Sequence, residues 1–387
     1  MMTAFPPPAE QQVTLGNWRT TPYSQWSFHH VREVLPTADI ANDPSAITPL
    51  TVDPRPFPGV EHDGVTVDLD GYHAATATDA LVVLHGDRIV HESYRGGMGP
   101  NDPHIIFSIS KSMLGLLAGV LIEQGVLDPS ANCEAYVPEL KGTGFQGASV
   151  QQLLDMRSGV AFVEDYLATE GPIIDYRKAT AWNPLEPGEQ AIGLRAFFQT
   201  LVARSGPDGG VFDYKSPCTD LLGWIFERAA GVRYSDLFAQ HIWSRAGLEC
   251  PAYITVDPFG APRTAGGMCM TARDMARIGR MVAQDGDGIV HKAWIDDIET
   301  AGDTDAWARG SFAADFQHET MHYRSKWYVL PTRGSVLMGL GIHGQNLIVD
   351  RASGLVVSRQ SSAAAPLDLT GDLLTLDLFE RYRSALV

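Results

Sequence analysis

Lysine is scarce in this chain, with six residues among 387, and no basic run appears anywhere along it. Asp and Glu number 46 against 29 Lys and Arg, a formal charge of −17 with a pI near 5.0. Such a surface repels phosphate backbones and anionic membranes, which excludes nucleic acid and lipid surfaces as partners. Cysteine is equally sparse. Cys133, Cys218, Cys250 and Cys269 show no CxxC spacing, so neither a zinc ribbon nor a disulfide framework is indicated. The longest apolar stretch, Met113 to Ile122, is too short to span a bilayer, and "MMTAFPPPAEQQ" lacks the basic and apolar regions of a secretory signal. A soluble, cytoplasmic chain is the expectation, with a small molecule as partner and a homodimer left open.

What is present is enough apolar material, 44% of residues, to bury one large domain or two intimate ones. Residues 1–20, with prolines at 6 to 8, read as a loose tail. "LVVLHGDRIVHESY" (81–94) reads as a hairpin, and "SKSMLGLLAGVLIEQGVLD" (110–128) as a buried helix closed by Gly125. Short helical patterns fill 150–268, interrupted by a Pro/Gly-rich loop at 170–190, and strand-like runs return at 335–344 and 346–360. The pattern predicts an α/β (α+β) architecture. Residues 21–149 and 269–387 would form an antiparallel sheet flanked by helices, with 150–268 inserted as an all-helical domain.

Chemistry concentrates at "FSISKSMLG" (107–115). Residues three apart share a helix face, so Lys111 can meet Ser108 but not Ser110 or Ser112. Serine attacks carbonyls only when a base takes its proton, and lysine is such a base only where burial destabilises its ammonium. The apolar residues after Lys111 supply that burial. Taken alone, the spacing is equally satisfied by a capping serine and a solvated lysine. Two further elements follow in order: Tyr214 in "GGVFDYKSPCTD" (209–220), a phenol at a loop tip suited to passing a proton, and "GLGIHGQN" (339–346), a strand thinned by glycine where a substrate could approach.

The ordered set SISK, YKS and GLGI resembles the serine β-lactamase and penicillin-binding-protein superfamily. Together with "QWSFHHVREVLPTADI" (25–40), "YVPEL" (136–140), "LLDMRSGVAFVEDY" (153–166) and "TARDMARIGRMV" (271–282), it is similar to the 6-aminohexanoate-dimer (nylon-oligomer) hydrolase group of that superfamily. The resemblance implies a serine β-lactamase-like fold and hydrolysis of a linear amide or ester without a cofactor. Ser108 would be the acylated nucleophile, Lys111 its base and Tyr214 the proton relay. The N–H groups of Ser108 and Ile342 would form the oxyanion hole. Tyr166, Trp182, Ser216, Trp327 and His343 would surround the substrate.

The chain also departs from the pattern. Cys218 stands where relatives carry asparagine, and Gly339 takes the place of the Lys of Lys-Thr-Gly, removing the cation that receives a β-lactam carboxylate. The third motif has a second register, with Gln345 as oxyanion donor. Glu170, Asp175 and Glu186 are the candidate carboxylates for a substrate's amino end. A transacylase, a carboxylesterase and a non-catalytic binder remain as alternative readings, the last opposed by the intact Ser108, Lys111 and Tyr214.

A rival motif, "HETMH" (318–322), has the His-Glu-x-x-His spacing of zinc proteases. Its surroundings are aromatic and β-branched and meet Pro331, unlike the long helix that signature needs. Metal is therefore expected to be absent from the chemistry: EDTA should leave turnover unchanged, and loss of activity on chelation with recovery on adding zinc would reverse this reading.

Overall fold

The computed structural model describes every residue except 317–319, 335 and 387. Its centre is an eight-stranded sheet. In spatial order the strands are His322–Arg324, Trp327–Leu330, Val336–Gly341, Gln345–Asp350, Leu355–Ser361, Thr78–His85, Arg88–Tyr94 and Thr51–Val52. All neighbours pair antiparallel except the last pair, which is parallel. The expected hairpin at 81–94 is present, turning at Gly86 with φ 59°.

The inner strands are buried on both faces. Alternation sends Leu347, Val349 and Val356 toward the Ala272–Ala283 helix, where Gly279 allows close contact, because a Cβ there would lie 2.5 Å from Val356. Asn346 and Arg359 point the other way, toward the Leu369–Leu386 helix, meeting Asp372 and Thr375. The antiparallel sheet flanked by helices matches the expected fold class.

Two expectations need correction. The segment before residue 20 is not loose: Trp18 is 1% exposed, packs edge-on against Trp182 and Phe28, and donates its indole N–H to the Trp182 carbonyl at 3.1 Å. The proline run hides this anchor, since one aromatic residue leaves no periodic signal. The inserted segment is also not helical throughout. Its helices run from Val150 to Trp243, but Ala252–Thr255 and Met268–Met270 join Thr37–Ile40 and His104–Ile105 in a second, four-stranded sheet. Strands of three or four residues are too short to show a period.

The Ile109–Glu123 helix threads between these layers and is buried along nearly its whole length. Gly125, at φ 69°, ends it as expected. Gly115 sets its depth, because a Cβ there would lie 2.1 Å from the Ser325 carbonyl oxygen, a backbone atom that cannot swing aside. Gly115→Ala should therefore destabilise the fold by about 1–3 kcal/mol, in the range of overpacked cores. An unchanged denaturation midpoint would show that the helix slides without penalty.

Candidate active site

Of the three serines near Lys111, two are already committed. Ser110 Oγ accepts the Met268 N–H at 3.1 Å, and Ser112 Oγ donates to the Lys326 carbonyl at 2.9 Å. Both are buried, whereas Ser108 is partly open and lines a cavity of about 110 Å³ that reaches solvent. Ser108 precedes the helix Ile109–Glu123, and the turn that delivers it is strained. Phe107 sits at φ 42°, a left-handed conformation that costs a bulky residue about 1–3 kcal/mol. Its ring is caged by Phe28 at 4.9 Å, His343 at 5.3 Å and Trp182 at 6.0 Å.

Lys111 is 1% exposed, and its Nζ lies 2.9 Å from Ser108 Oγ. It also donates to the Ala265 carbonyl at 2.5 Å. Burial brings its pKa down to about 7; the Arg263 and Lys326 charges push the same way, against the carboxylates of Glu164 and Asp220. Asp220 places the Ala265 carbonyl, since its Oδ1 accepts the Ala265 N–H at 2.7 Å. Its Oδ2 is shared by Arg263 and Tyr176.

The Tyr214 ring lies 4.8 Å from Lys111 Nζ and stacks on Phe312 at 4.9 Å. Burial and the Glu164 charge raise the pKa of its phenol beyond the usual range, while hydrogen bonding with Ser108 and Tyr166 pulls the other way. The group keeps its proton at neutral pH. Glu164 faces this cluster and accepts both the N–H and Oγ–H of Ser216, at 2.7 and 2.6 Å.

The glycine-rich strand approaches the Ser108 turn closely. A Cβ on Gly339 would lie 3.1 Å from Ser112 Oγ, and one on Gly341 would lie 2.7 Å from the Ile106 carbonyl. Glycine here lets the strand lie against the turn and helix that carry Ser108. Ile342 lines the cavity beside Ser108; Gln345 is wholly buried, its amide occupied by the carbonyls of Ser361 and His343. Of the two registers, the one with Ile342 faces the cavity.

The cavity gathers Ser108, Tyr166, Tyr214 and Ile342; Lys111 is buried beside Ser108 without lining it, and the four other residues expected around the substrate do not line it either. Trp182 lies behind the Ser108 turn, its indole donating to Thr255 Oγ1. His343 belongs to the same cage, its ring nitrogen on the Ala363 carbonyl and its pKa lowered to about 4 by burial. Trp327 is fully buried, and the next residue, Tyr328, lines the cavity instead; successive residues of a strand face opposite sides. Ser216 is held by Glu164. Glu170, Asp175 and Glu186 are exposed and stand outside the cavity.

Sequence reasoning missed Glu164, although "VEDY" places it two residues before Tyr166, and it missed Asp315, Asp368 and Asp372, which line the cavity. Of the rival motif, only Thr320, Met321 and His322 are described, and none of them is helical. His322 lies in a strand with Nε2 on the Glu299 carbonyl at 3.1 Å, and His318 falls outside the described residues. Among the described residues, no three His, Cys, Asp or Glu side chains are grouped to hold a metal ion.

Comparison with known proteins identifies the family and fold. The Beta-lactamase family model matches residues 67–378. The 6-aminohexanoate-dimer hydrolase of Paenarthrobacter ureafaciens is 35% identical over 370 residues, covering 94% of this chain and 91% of its own. A solved Bacillus anthracis protein, assigned as a 6-aminohexanoate-dimer hydrolase, superposes with a TM-score of 0.88 at 25% identity over 98% of this chain and 99% of its own. A hydrolase with promiscuous acyltransferase activity shares the fold, with a TM-score of 0.63 at 16% identity over 81% of this chain and 95% of its own. The chain thus belongs to the Beta-lactamase family.

Proposed function

We propose that this protein is a serine hydrolase that cleaves a linear amide or ester through an acyl-enzyme on Ser108. The observation that carries the reading is the 2.9 Å contact between Ser108 Oγ, at the cavity wall, and a buried Lys111 whose pKa lies near neutrality.

Neutral Lys111 takes the Ser108 proton as Oγ bonds to the substrate carbonyl carbon, and the oxygen that becomes negative is received by the N–H groups of Ser108 and Ile342. Tyr214 gives its proton to the departing nitrogen or oxygen as that bond breaks, then recovers one from the Lys111 ammonium. The cycle restores every proton. Water enters by the reverse route and releases the acid.

Several features support an uncyclised, non-anionic substrate. Gly339 offers no cation, and Asp315, Asp368 and Asp372 repel carboxylates. The apolar wall of Phe312, Phe316, Tyr328, Leu340, Leu367 and Leu369 suits an aliphatic chain; capture of the acyl group by an amine instead of water is a second reading that the same catalytic residues would serve. The four free thiols suit a reducing compartment, which supports a cytoplasmic location; no helix among the described residues is long and apolar enough to cross a membrane.

The nucleophile is tested with a fluorophosphonate and intact-protein mass. Ser108→Ala should form no adduct while Ser110→Ala and Ser112→Ala still do, and an adduct on Ser108→Ala would refute the assignment.

The base is tested separately. Lys111→Arg and Lys111→Ala should both lose activity by roughly 10³-fold, because guanidinium keeps its proton at these pH values. An active Lys111→Arg enzyme would demote Lys111 to an electrostatic role.

Only the neutral amine accepts a proton, so wild-type acylation should rise with pH around pH 7 and level off above it. Glu164 holds the lysine pKa up, so Glu164→Gln should move this limb to lower pH. A limb that stays in place, or moves upward, would mean the two charges are not linked.

A further inference from the structure

We infer that Phe316 sets the length of the alkyl chain accepted on the leaving-group side of the scissile bond, and that the apolar hollow behind it is a further chain-binding site which Phe316 shuts off. This deepens the acyl-enzyme reading and rests on it.

The catalytic cavity is small. Its volume of about 110 Å³ falls below the roughly 300–1,000 Å³ of sites that enclose a whole small molecule, so a long substrate must leave it in some direction. A second hollow of about 340 Å³ opens next to it, lined by Thr304, Trp307, Ala308, Ala313, Thr320 and Met321. None of these side chains carries a charge, so the hollow suits methylene groups rather than an ionic end. Among the described residues, Phe316 alone lines both spaces.

The partition is aromatic. Phe316 packs on Trp307 at 6.0 Å between ring centroids, and Trp307 meets Tyr328, a cavity residue, edge-on at 5.8 Å. Trp307 is 3% exposed and also packs on Phe212 at 4.9 Å, which fixes it. Phe316 is held less firmly. It is partly exposed, and among the described residues Trp307 is the one ring it touches, so it can be shortened without opening the core.

Tyr214 decides which part of the substrate meets this partition, because it hands its proton to the departing group. Phe312 stacks on Tyr214 at 4.9 Å, and Phe316 follows four residues later in the same segment. A chain on the departing amine or alcohol thus runs toward Phe316, and the acyl chain leaves the carbonyl carbon on the other side.

The experiment uses n-alkyl butyrates and N-alkyl butyramides, ethyl through octyl, with the full-length protein. Each series differs only in the departing group and shares one acyl-enzyme, so kcat/KM isolates acylation. In the wild type kcat/KM should rise with the first methylenes and level off once the chain meets Phe316. In Phe316→Ala it should keep rising through octyl, by up to about fourfold per methylene, the gain expected from burying one CH₂. Adding Ala308→Phe, which fills the hollow from its exposed side, should restore the plateau. p-Nitrophenyl esters with acyl chains from acetyl to octanoyl should show one length profile in all three proteins.

A wild-type profile that climbs through octyl without a break overturns the inference and needs no variant to fold. So does a plateau kept in Phe316→Ala, a gain that Ala308→Phe fails to cancel, a gain seen equally in the acyl series, or turnover of neither alkyl series. All of these leave Ser108 as the nucleophile. Turnover that persists in Ser108→Ala instead removes the acyl-enzyme reading, and the inference with it.

Discussion

The Lys111 amine lies where water does not reach it, and most of the surrounding structure is arranged around that fact. An ammonium inside an apolar helix core is tolerated only if its N–H groups find acceptors, and here they meet the Ser108 hydroxyl and the Ala265 carbonyl. The Ala265 carbonyl stays in place because Asp220 grips the amide of the same residue, and Asp220 is itself held by Arg263 and Tyr176. A buried ion pair of this kind contributes little net stability. Its effect is to fix one backbone carbonyl against the lysine.

The same constraint explains where glycine occurs. The helix must lie deep enough to bury Lys111, so Gly115 sits against the Ser325 carbonyl and Gly119 against the Trp294 ring. The strand carrying Ile342 must then come close to the Ser108 turn, and Gly339 and Gly341 permit it. The left-handed Phe107 completes the set, turning the chain so that Ser108 opens toward the cavity while Ile109 and Ser110 turn inward. Each of these positions gives up intrinsic stability to hold two atoms within one hydrogen-bond length.

Much of this was legible in the sequence wherever the information was local. Ser108 and Lys111 are three residues apart on one helix, and that spacing carries their contact directly. The hairpin at 81–94 and the close of the nucleophile helix rest on turn chemistry that single residues encode. What escaped was the consequence of long-range packing. Trp182 and His343 belong to a cage around Phe107 that forms only when segments from 18 to 343 converge, and Tyr328 rather than Trp327 faces the cavity because of strand phase. Asp368 and Asp372 follow the low-complexity run "SSAAAP" and lie more than 250 residues from Ser108, with no motif to mark them.

The chemistry has a thermodynamic consequence that the fold must absorb. Lowering a lysine pKa from 10.5 to about 7 corresponds to about 5 kcal/mol of destabilisation of its charged form. The unfolded chain binds more protons between those two values, so this contribution makes the protein less stable below pH 7 and is relieved as pH rises toward 10.5. Lys326 repeats the arrangement: it too is buried, with its pKa lowered to about 7 and its Nζ on the Leu153 carbonyl. It does not line the cavity, but its charge is one of those that depress Lys111, and its carbonyl anchors Ser112 on the same helix. With Lys215, also 1% exposed, three lysines out of six are thus spent in the core. The composition, 46 acidic against 29 basic side chains, leaves an acidic molecule whose field repels approaching anions.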